Sequence, residues 1–342
     1  MTIADDGLQP DEFAVTATRA VVACAGSDLR EQAQILANDG LLGVLAHEDA
    51  GGLGLPLGFA VPVIAAAHSG LLGFPLLETL LLGRLLHDAL PRVAGAIVSG
   101  ETLATIAWQG TVAVERKGEI VVINGSVARA PAAKHAEHIL VRVGEGAAAL
   151  IPTDTAGVLI EDATGLDLTV LEHAVRLQNV VIPMASVLPA GTWDLLSSDA
   201  NVLRAAAILG SAEACLSLAQ EHASTRRQFG HALSYNQAIR HALARQKLGL
   251  ESIRHAITRS LSEDGGARQR DAAFLAAANY GCSISEGALQ IHGGMGFTWD
   301  IPVHRHLRRI RTLQAQGDAS GLMNAFGRAY VSEIAPPAEA GA

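Results

Sequence analysis

The feature that most constrains the fold is a change in the spacing of apolar residues along this 342-residue chain. Before residue 101 and after residue 191, apolar residues recur at helical spacing. Between these points, short runs rich in β-branched residues alternate with turns such as Lys117-Gly118 and Asn124-Gly125. The pattern predicts a mainly α protein with an inserted β domain of roughly 90 residues, a small antiparallel barrel or sandwich.

The spacing divides the chain into four predicted segments. An N-terminal α-helical domain covers residues 1–100, a central antiparallel β-barrel covers 101–191, and a C-terminal four-helix bundle covers 192–335. The Pro- and Ala-rich residues 336–342 are expected to be a disordered tail. Bundle helices are predicted at 202–224, 235–260, 271–289 and 302–314, with 319–332 as a candidate continuation of the last.

Composition argues against several classes of protein. The net charge of −9 disfavours binding to nucleic acid. Three cysteines, an odd number without paired spacing, indicate a reducing compartment and neither a disulfide scaffold nor a zinc site. Charged residues interrupt the most apolar stretch, residues 71–90, so it is expected to be buried rather than to span a membrane. No signal peptide is recognised, and the predicted location is the cytoplasm.

Three short motifs carry the chemical signal. Arginine side chains bind phosphate oxygens through two hydrogen bonds, and glycines let a ligand approach the backbone closely. A glycine cluster between two helices is also typical of a simple helix stop, so the motifs are informative only together. They read Arg226-Arg227-Gln228-Phe229-Gly230, Gln237-Ala238-Ile239-Arg240 and Gln290-Ile291-His292-Gly293-Gly294-Met295-Gly296-Phe297.

At this spacing the three motifs resemble the acyl-CoA dehydrogenase family. The N-terminal segment 40–54 is similar to another family pattern, with His47 in the place of a proline. The resemblance implies that these motifs contact FAD seated mainly on a neighbouring subunit. The residues assigned to cofactor binding on this basis are Arg226, Gln228, Phe229, Gln237, Gln290, Gly293 and Gly294.

The catalytic base expected of the family is missing, and the catalytic residues are therefore unassigned. The family's usual glutamate position falls on Gly317, and its alternative position falls near Ala200. Asp318 and Asp199 are the adjacent carboxylates, but a shift of one helical position points a side chain elsewhere. The β segments that hold the flavin within one subunit also depart from the family pattern, at 107–111 and 129–133.

The basic segment 304–311 is expected to face solvent, a partner, or the phosphates of CoA or FAD. His304 and His306 lie two residues apart and would point in different directions on a helix, so no metal site is predicted.

Three hypotheses follow from the resemblance. The first is a subunit that works in the FAD-dependent α,β-dehydrogenation of an acyl-CoA, as in steroid side-chain breakdown, with a base-bearing partner in an α2β2 heterotetramer. The second is a non-catalytic structural relative of the family. The third is a self-sufficient homotetrameric dehydrogenase with a displaced base. The family's usual electron acceptor, an electron-transfer flavoprotein, is expected as a further partner.

Overall fold

The computed structural model describes residues 8–228 and 230–334 of the chain. Asp28 begins the second helix with a capping box, in which Asp28 and Glu31 accept each other's backbone N–H. Pro75 separates the third and fourth helices. The N-terminal part of the chain contains the helices α1 (Pro10–Ala23), α2 (Leu29–Asn38), α3 (Ala60–Ser69), α4 (Leu76–Leu85) and α5 (Pro91–Val98).

Eight strands follow and form two four-stranded sheets. Their apolar inner faces pack together around a core that includes Val121, Val141 and Val175. The strands are β1 (Ala104–Ile106), β2 (Ala113–Lys117), β3 (Ile120–Pro131), β4 (His138–Val143), β5 (Ala147–Pro152), β6 (Val158–Asp162), β7 (Glu172–Pro183) and β8 (Val187–Leu188). The order of strands is β1-β4-β5-β8 in one sheet and β2-β3-β7-β6 in the other.

The β domain is therefore a sandwich rather than the closed antiparallel barrel. Within the described part of the chain, two isolated bridges, Gln109–Ala128 and Val112–Val143, link the segment between β1 and β2 to the two sheets, and no continuous ladder closes them. The edge strands β1 and β8 have only three and two residues, which is too short for closure. β1 also pairs with β4 in parallel, so the expectation of purely antiparallel pairing is wrong at this edge.

The C-terminal part contains four long helices and a fifth that packs at their end. The chain turns at Gly317 and Asp318, so the last helix is separate and not a continuation of the fourth. The first helix begins ten residues earlier than the predicted position 202. The elements are α6 (Thr192–Thr225), β9 (Arg227–Gln228), β10 (His231–Ala232), α7 (Gln237–Ser260), α8 (Ala267–His292), α9 (Val303–Gln316) and α10 (Ala319–Ile334).

Helix α6 is the centre of the molecule. It packs against α3, α7, α8 and α9, and both helical parts share one hydrophobic core around it. By length and composition α6 could cross a membrane, but 78% of its most apolar window is buried inside the protein. This is the pattern of a core helix. The domain boundaries near residues 100 and 191 stay a prediction, because the core runs across both.

Candidate functional site

The Arg226 motif forms a short hairpin at the end of α6. The N–H of Arg226 donates to the carbonyl of His222 (2.9 Å), and the backbone then becomes extended. Strand β9 pairs with β10 in antiparallel register, and the N–H of Leu233 closes the hairpin on the Arg226 carbonyl (2.9 Å). The side chains of Arg226 and Gln228 are exposed. Phe229 lies outside the described residues.

The glycine motif forms the turn after α8. Gln290 is exposed, and Gly293 takes a positive φ of 60° that favours glycine. Gly294 has neither a positive φ nor a close neighbour, because a Cβ built there meets no atom within 4 Å. The packing of the described residues therefore does not require glycine at 294. A glycine at this position would let a molecule from outside the chain approach the backbone closely.

The fold brings these two motifs together. The rings of His222 and His292 stack with their centroids 4.5 Å apart. Burial, and then the neighbouring His292 and Arg226, lower the pKa of His222. Gln237 is exposed at the first turn of α7, directly after the hairpin. We call the hairpin 226–232 and the turn 290–297 the outer edge. Its ligand-binding role stays a prediction.

A buried polar group that sequence reasoning missed lies between the β domain and the helices. The indole Nε1 of Trp108 donates to Glu78 Oε1 (2.8 Å), and the guanidinium of Arg204 lies 4.0 Å from the centroid of the Trp108 ring. Burial raises the pKa of Glu78, and it lowers the pKa of Arg204 to about 10. The signal that could have revealed it is a lone carboxylate within the apolar run 76–82.

A buried ion pair extends this interior group. Arg309 Nε donates to Asp167 Oδ2 (2.7 Å), and the two side chains are only 2% and 5% exposed. Next to them, burial and then Arg309 lower the pKa of His306 to about 3. The expectation that segment 304–311 faces outward is therefore wrong for His304, His306 and Arg309. We call Glu78, Trp108, Asp167, Arg204 and Arg309 the buried polar centre.

The interior next to this centre has little free space. A pocket of about 40 Å³, lined by Glu78, Asp167, Arg309 and Gln316 among others, has room for no more than a few water molecules. Gln316 Nε2 donates to Glu172 (2.9 Å), which also binds Arg129 (2.6 Å). Glu172 is therefore held by two partners, whereas Nη1 and Nη2 of Arg309 have no hydrogen-bond partner among the described residues.

The structure offers no carboxylate at the position where the base was sought. A Cβ at Gly317 would lie 2.5 Å from the ring of Phe274 and 3.1 Å from Arg204 Cδ, so a side chain there would force both to move. Asp318 Oδ1 accepts a hydrogen bond from the N–H of Gly321 (3.1 Å), at the start of α10. Asp199 binds Arg84 and Arg270. Each candidate carboxylate therefore has a structural partner.

Comparisons with known proteins agree with this architecture. Residues 197–323 match the model of the acyl-CoA dehydrogenase C-terminal domain. The acyl-CoA dehydrogenase FadE34 of Mycobacterium tuberculosis is 27% identical over 288 residues, which is 80% of this chain and 38% of that protein. The chain thus spans well under half the length of this relative. The chain is therefore similar to members of the acyl-CoA dehydrogenase family, most clearly over its C-terminal helices.

Two solved structures show the same fold over nearly the whole chain. One is the ChsE4–ChsE5 complex from Mycobacterium tuberculosis, with a TM-score of 0.87 and 23% identity over 98% of this chain and 99% of the other. The second is a variant of the Tcur3481–Tcur3483 steroid ACAD, with a TM-score of 0.86 and 23% identity over 96% and 99%. At this identity the likeness establishes the fold alone.

Proposed function

We propose that the chain is one subunit of a flavin-dependent acyl-CoA dehydrogenase and lends its outer edge to FAD bound mainly by a partner subunit. The observation that carries the proposal is the contrast between the outer edge and the surroundings of Gly317. The outer edge exposes its arginine, glutamines and glycines, whereas the space beside Gly317 is filled by Phe274 and Arg204 and offers no carboxylate at that position.

The outer edge fits the anionic part of FAD. The exposed Arg226 guanidinium can bind pyrophosphate oxygens through two parallel hydrogen bonds. Gln228, Gln237 and Gln290 can donate and accept hydrogen bonds, and the open backbone at Gly293 and Gly294 admits a close approach. Phe229 is proposed as an apolar contact. When bound, the flavin accepts a hydride from the substrate.

The space next to the buried polar centre does not fit the flavin ring. Trp108, Trp193 and Arg204 pack against one another there, with 6.1 Å between the indole centroids. The pocket of about 40 Å³ that Glu78 and Arg309 line is too small for a tricyclic ring. We therefore assign the seat of the ring, and the base that removes the substrate α-proton, to the partner subunit.

The comparisons guide the choice of partner and substrate. A second subunit of the same fold is proposed, because the ChsE4–ChsE5 structure is a complex. A steroid side-chain CoA thioester is the proposed substrate, because one structural neighbour is described as a steroid ACAD. An electron-transfer flavoprotein is the proposed electron acceptor, and the cytoplasm the proposed location.

The test is the flavin content of the chain alone and after co-expression with a base-bearing family member. We expect a colourless chain alone and a mixed complex with less than one flavin per chain by visible spectrum and mass. Arg226→Ala should remove the flavin from the complex. Arg116→Ala, at an exposed position of β2, is the matched control and should leave it bound.

Two other outcomes select the alternatives. Complexes that never carry flavin would favour the hypothesis of a non-catalytic structural relative. The side chains that fill the space beside Gly317 are compatible with that hypothesis. A lone chain that is yellow, with one flavin each and reduction by an acyl-CoA, would reject the shared site. The search for a base would then return to Asp318 and Asp199.

A further inference from the structure

Two imidazoles and a carboxylate meet where the glycine loop after residue 46 faces the end of α4. The rings of His47 and His87 are stacked, with centroids 4.1 Å apart and planes 18° apart. One ligand atom from each of His47, Asp49 and His87 lies within 4.8 Å of the others. None of these residues belongs to the outer edge or to the buried polar centre.

Both histidines are attached to well-packed backbone. The carbonyl of His47 accepts from the N–H groups of Ala50 (3.0 Å) and Gly52 (3.1 Å), and the residue before it, Ala46, is fully buried. His87 follows Leu86, which is also fully buried. The cluster is therefore held by two separate elements that pack on the same core, and its geometry does not depend on a free loop.

The electrostatics of the cluster favour a cation. Asp49 Oδ2 lies 3.4 Å from His47 Nδ1, and Asp88 Oδ1 lies 3.9 Å from His87 Nε2. Among the described residues, the buried Nδ1 of His87 has no hydrogen-bond partner. A buried nitrogen without a partner costs free energy, and a bound metal ion beside it is one way to remove that cost.

We propose that His47, Asp49 and His87 bind a Zn²⁺ ion. Two imidazoles and one carboxylate select borderline transition metals over Mg²⁺ or Ca²⁺, which take oxygen ligands. In a tetrahedral zinc site the ligand atoms are roughly 3.3 Å apart, so the cluster has to contract on binding. The His47 ring also has to turn out of its stack on His87, because imidazole lone pairs lie in the ring plane, and this breaks the hydrogen bond that its Nδ1 accepts from the N–H of Asp49 (3.2 Å). The exposed side chains of His47 and Asp49 have the freedom to make these movements. The fourth position would hold water.

Zinc at this place would tie the loop 47–52 to the end of α4. Because the ligands come from two elements, the site exists only in the folded chain, and zinc should therefore stabilise the native state. The departure from the family pattern at position 47, noted from the sequence, is what supplies the first ligand.

The experiment is calorimetric titration of ZnCl₂ into the purified chain after treatment with a chelator. We expect one ion per chain and no heat with MgCl₂. His47→Pro, His87→Ala and Asp49→Asn should each lower the affinity at least about tenfold. The φ of His47 is −61°, which proline adopts, so His47→Pro removes the ligand without straining this angle. His255→Ala, on the exposed face of α7, is the control and should bind as the unaltered chain does.

A thermal melt gives an independent reading. Zinc should raise the Tm of the unaltered chain and of His255→Ala but not of His47→Pro, while circular dichroism shows that each variant is folded. The proposal is overturned if the unaltered chain binds no zinc. It is equally overturned if zinc binds undiminished to both His47→Pro and His87→Ala, because the ion is then held elsewhere.

Discussion

The outer edge and the buried polar centre both contain arginines, yet the two regions place them in opposite environments. Arg226 is exposed at a hairpin, whereas Arg204 and Arg309 are each 2% exposed and lie against Trp108 and Asp167. A buried charge has lost its hydration and depends on its partners, so removing one member of the pair destabilises the folded state. A charge left in water is available to a ligand. The comparison teaches that the arginine of the outer edge is free to meet a ligand, as the proposed function requires, whereas the interior arginines contribute to stability.

The sharpest test of this comparison is Arg309→Met, which leaves Asp167 buried without its partner. We expect a loss of about 3–5 kcal/mol in the free energy of unfolding, measured by urea denaturation. Arg311→Ala is the control on the same helix, because Arg311 and Glu286 are 46% and 54% exposed. Its cost should stay below about 1 kcal/mol. Adding Asp167→Leu to Arg309→Met should restore much of the loss, and failure to do so would contradict the pairing.

A smaller loss is expected for Trp108→Phe, which removes the donor to Glu78 and keeps most of the ring. The unfolding free energy should fall by about 1–3 kcal/mol, because a buried acceptor is left without its partner. Trp299→Phe, at an exposed indole, should change it by about 0.5 kcal/mol or less. A double-mutant cycle with Glu78→Met, which has no oxygen acceptor, measures the coupling between the two side chains. A coupling near zero would argue against the Trp108–Glu78 hydrogen bond.

The burial of His306 should make the stability of the chain depend on pH. His306 has a pKa of about 3 in the folded chain and an ordinary value of 6.5 when unfolded. Below pH 6.5 His306 binds a proton in the unfolded chain but not in the folded chain. The free energy of unfolding therefore falls as the pH falls towards 3. The contribution is about 1.4 kcal/mol per pH unit within that window. His306→Gln should flatten the pH dependence of the urea midpoint between pH 6.5 and 5. An unchanged slope would reject the assignment.

The smallest effect on stability is expected at the outer edge. Arg226→Ala should alter the unfolding free energy by about 0.5 kcal/mol or less, because the side chain is exposed. The same substitution is predicted above to remove flavin from the mixed complex. A loss greater than about 1 kcal/mol would show that Arg226 serves the fold, and the contrast between the two regions would then break down.

Sequence reasoning succeeded where the signal is local. The change from helices to strands and back depends on the spacing of neighbouring residues. The three motifs resemble those of the acyl-CoA dehydrogenase family, and each is a short continuous run, so the sequence alone is enough to recognise the resemblance. Reasoning failed on α9, where a row of basic residues predicted an exposed face. The burial of Arg309 depends on Asp167, which lies 142 residues away, and no local pattern shows that.

The sequence by itself determined the resemblance to the acyl-CoA dehydrogenase family, the order of helices and strands, and which residues make up the motifs of the outer edge. Local spacing and turn chemistry are enough for these. Only the tertiary structure decided which charges are buried, that the two sheets stay open, and that Phe274 and Arg204 occupy the space beside Gly317. It also brought His47 and His87 into contact from positions forty residues apart. Such pairings follow from the packing of distant elements, which the linear order of residues does not specify.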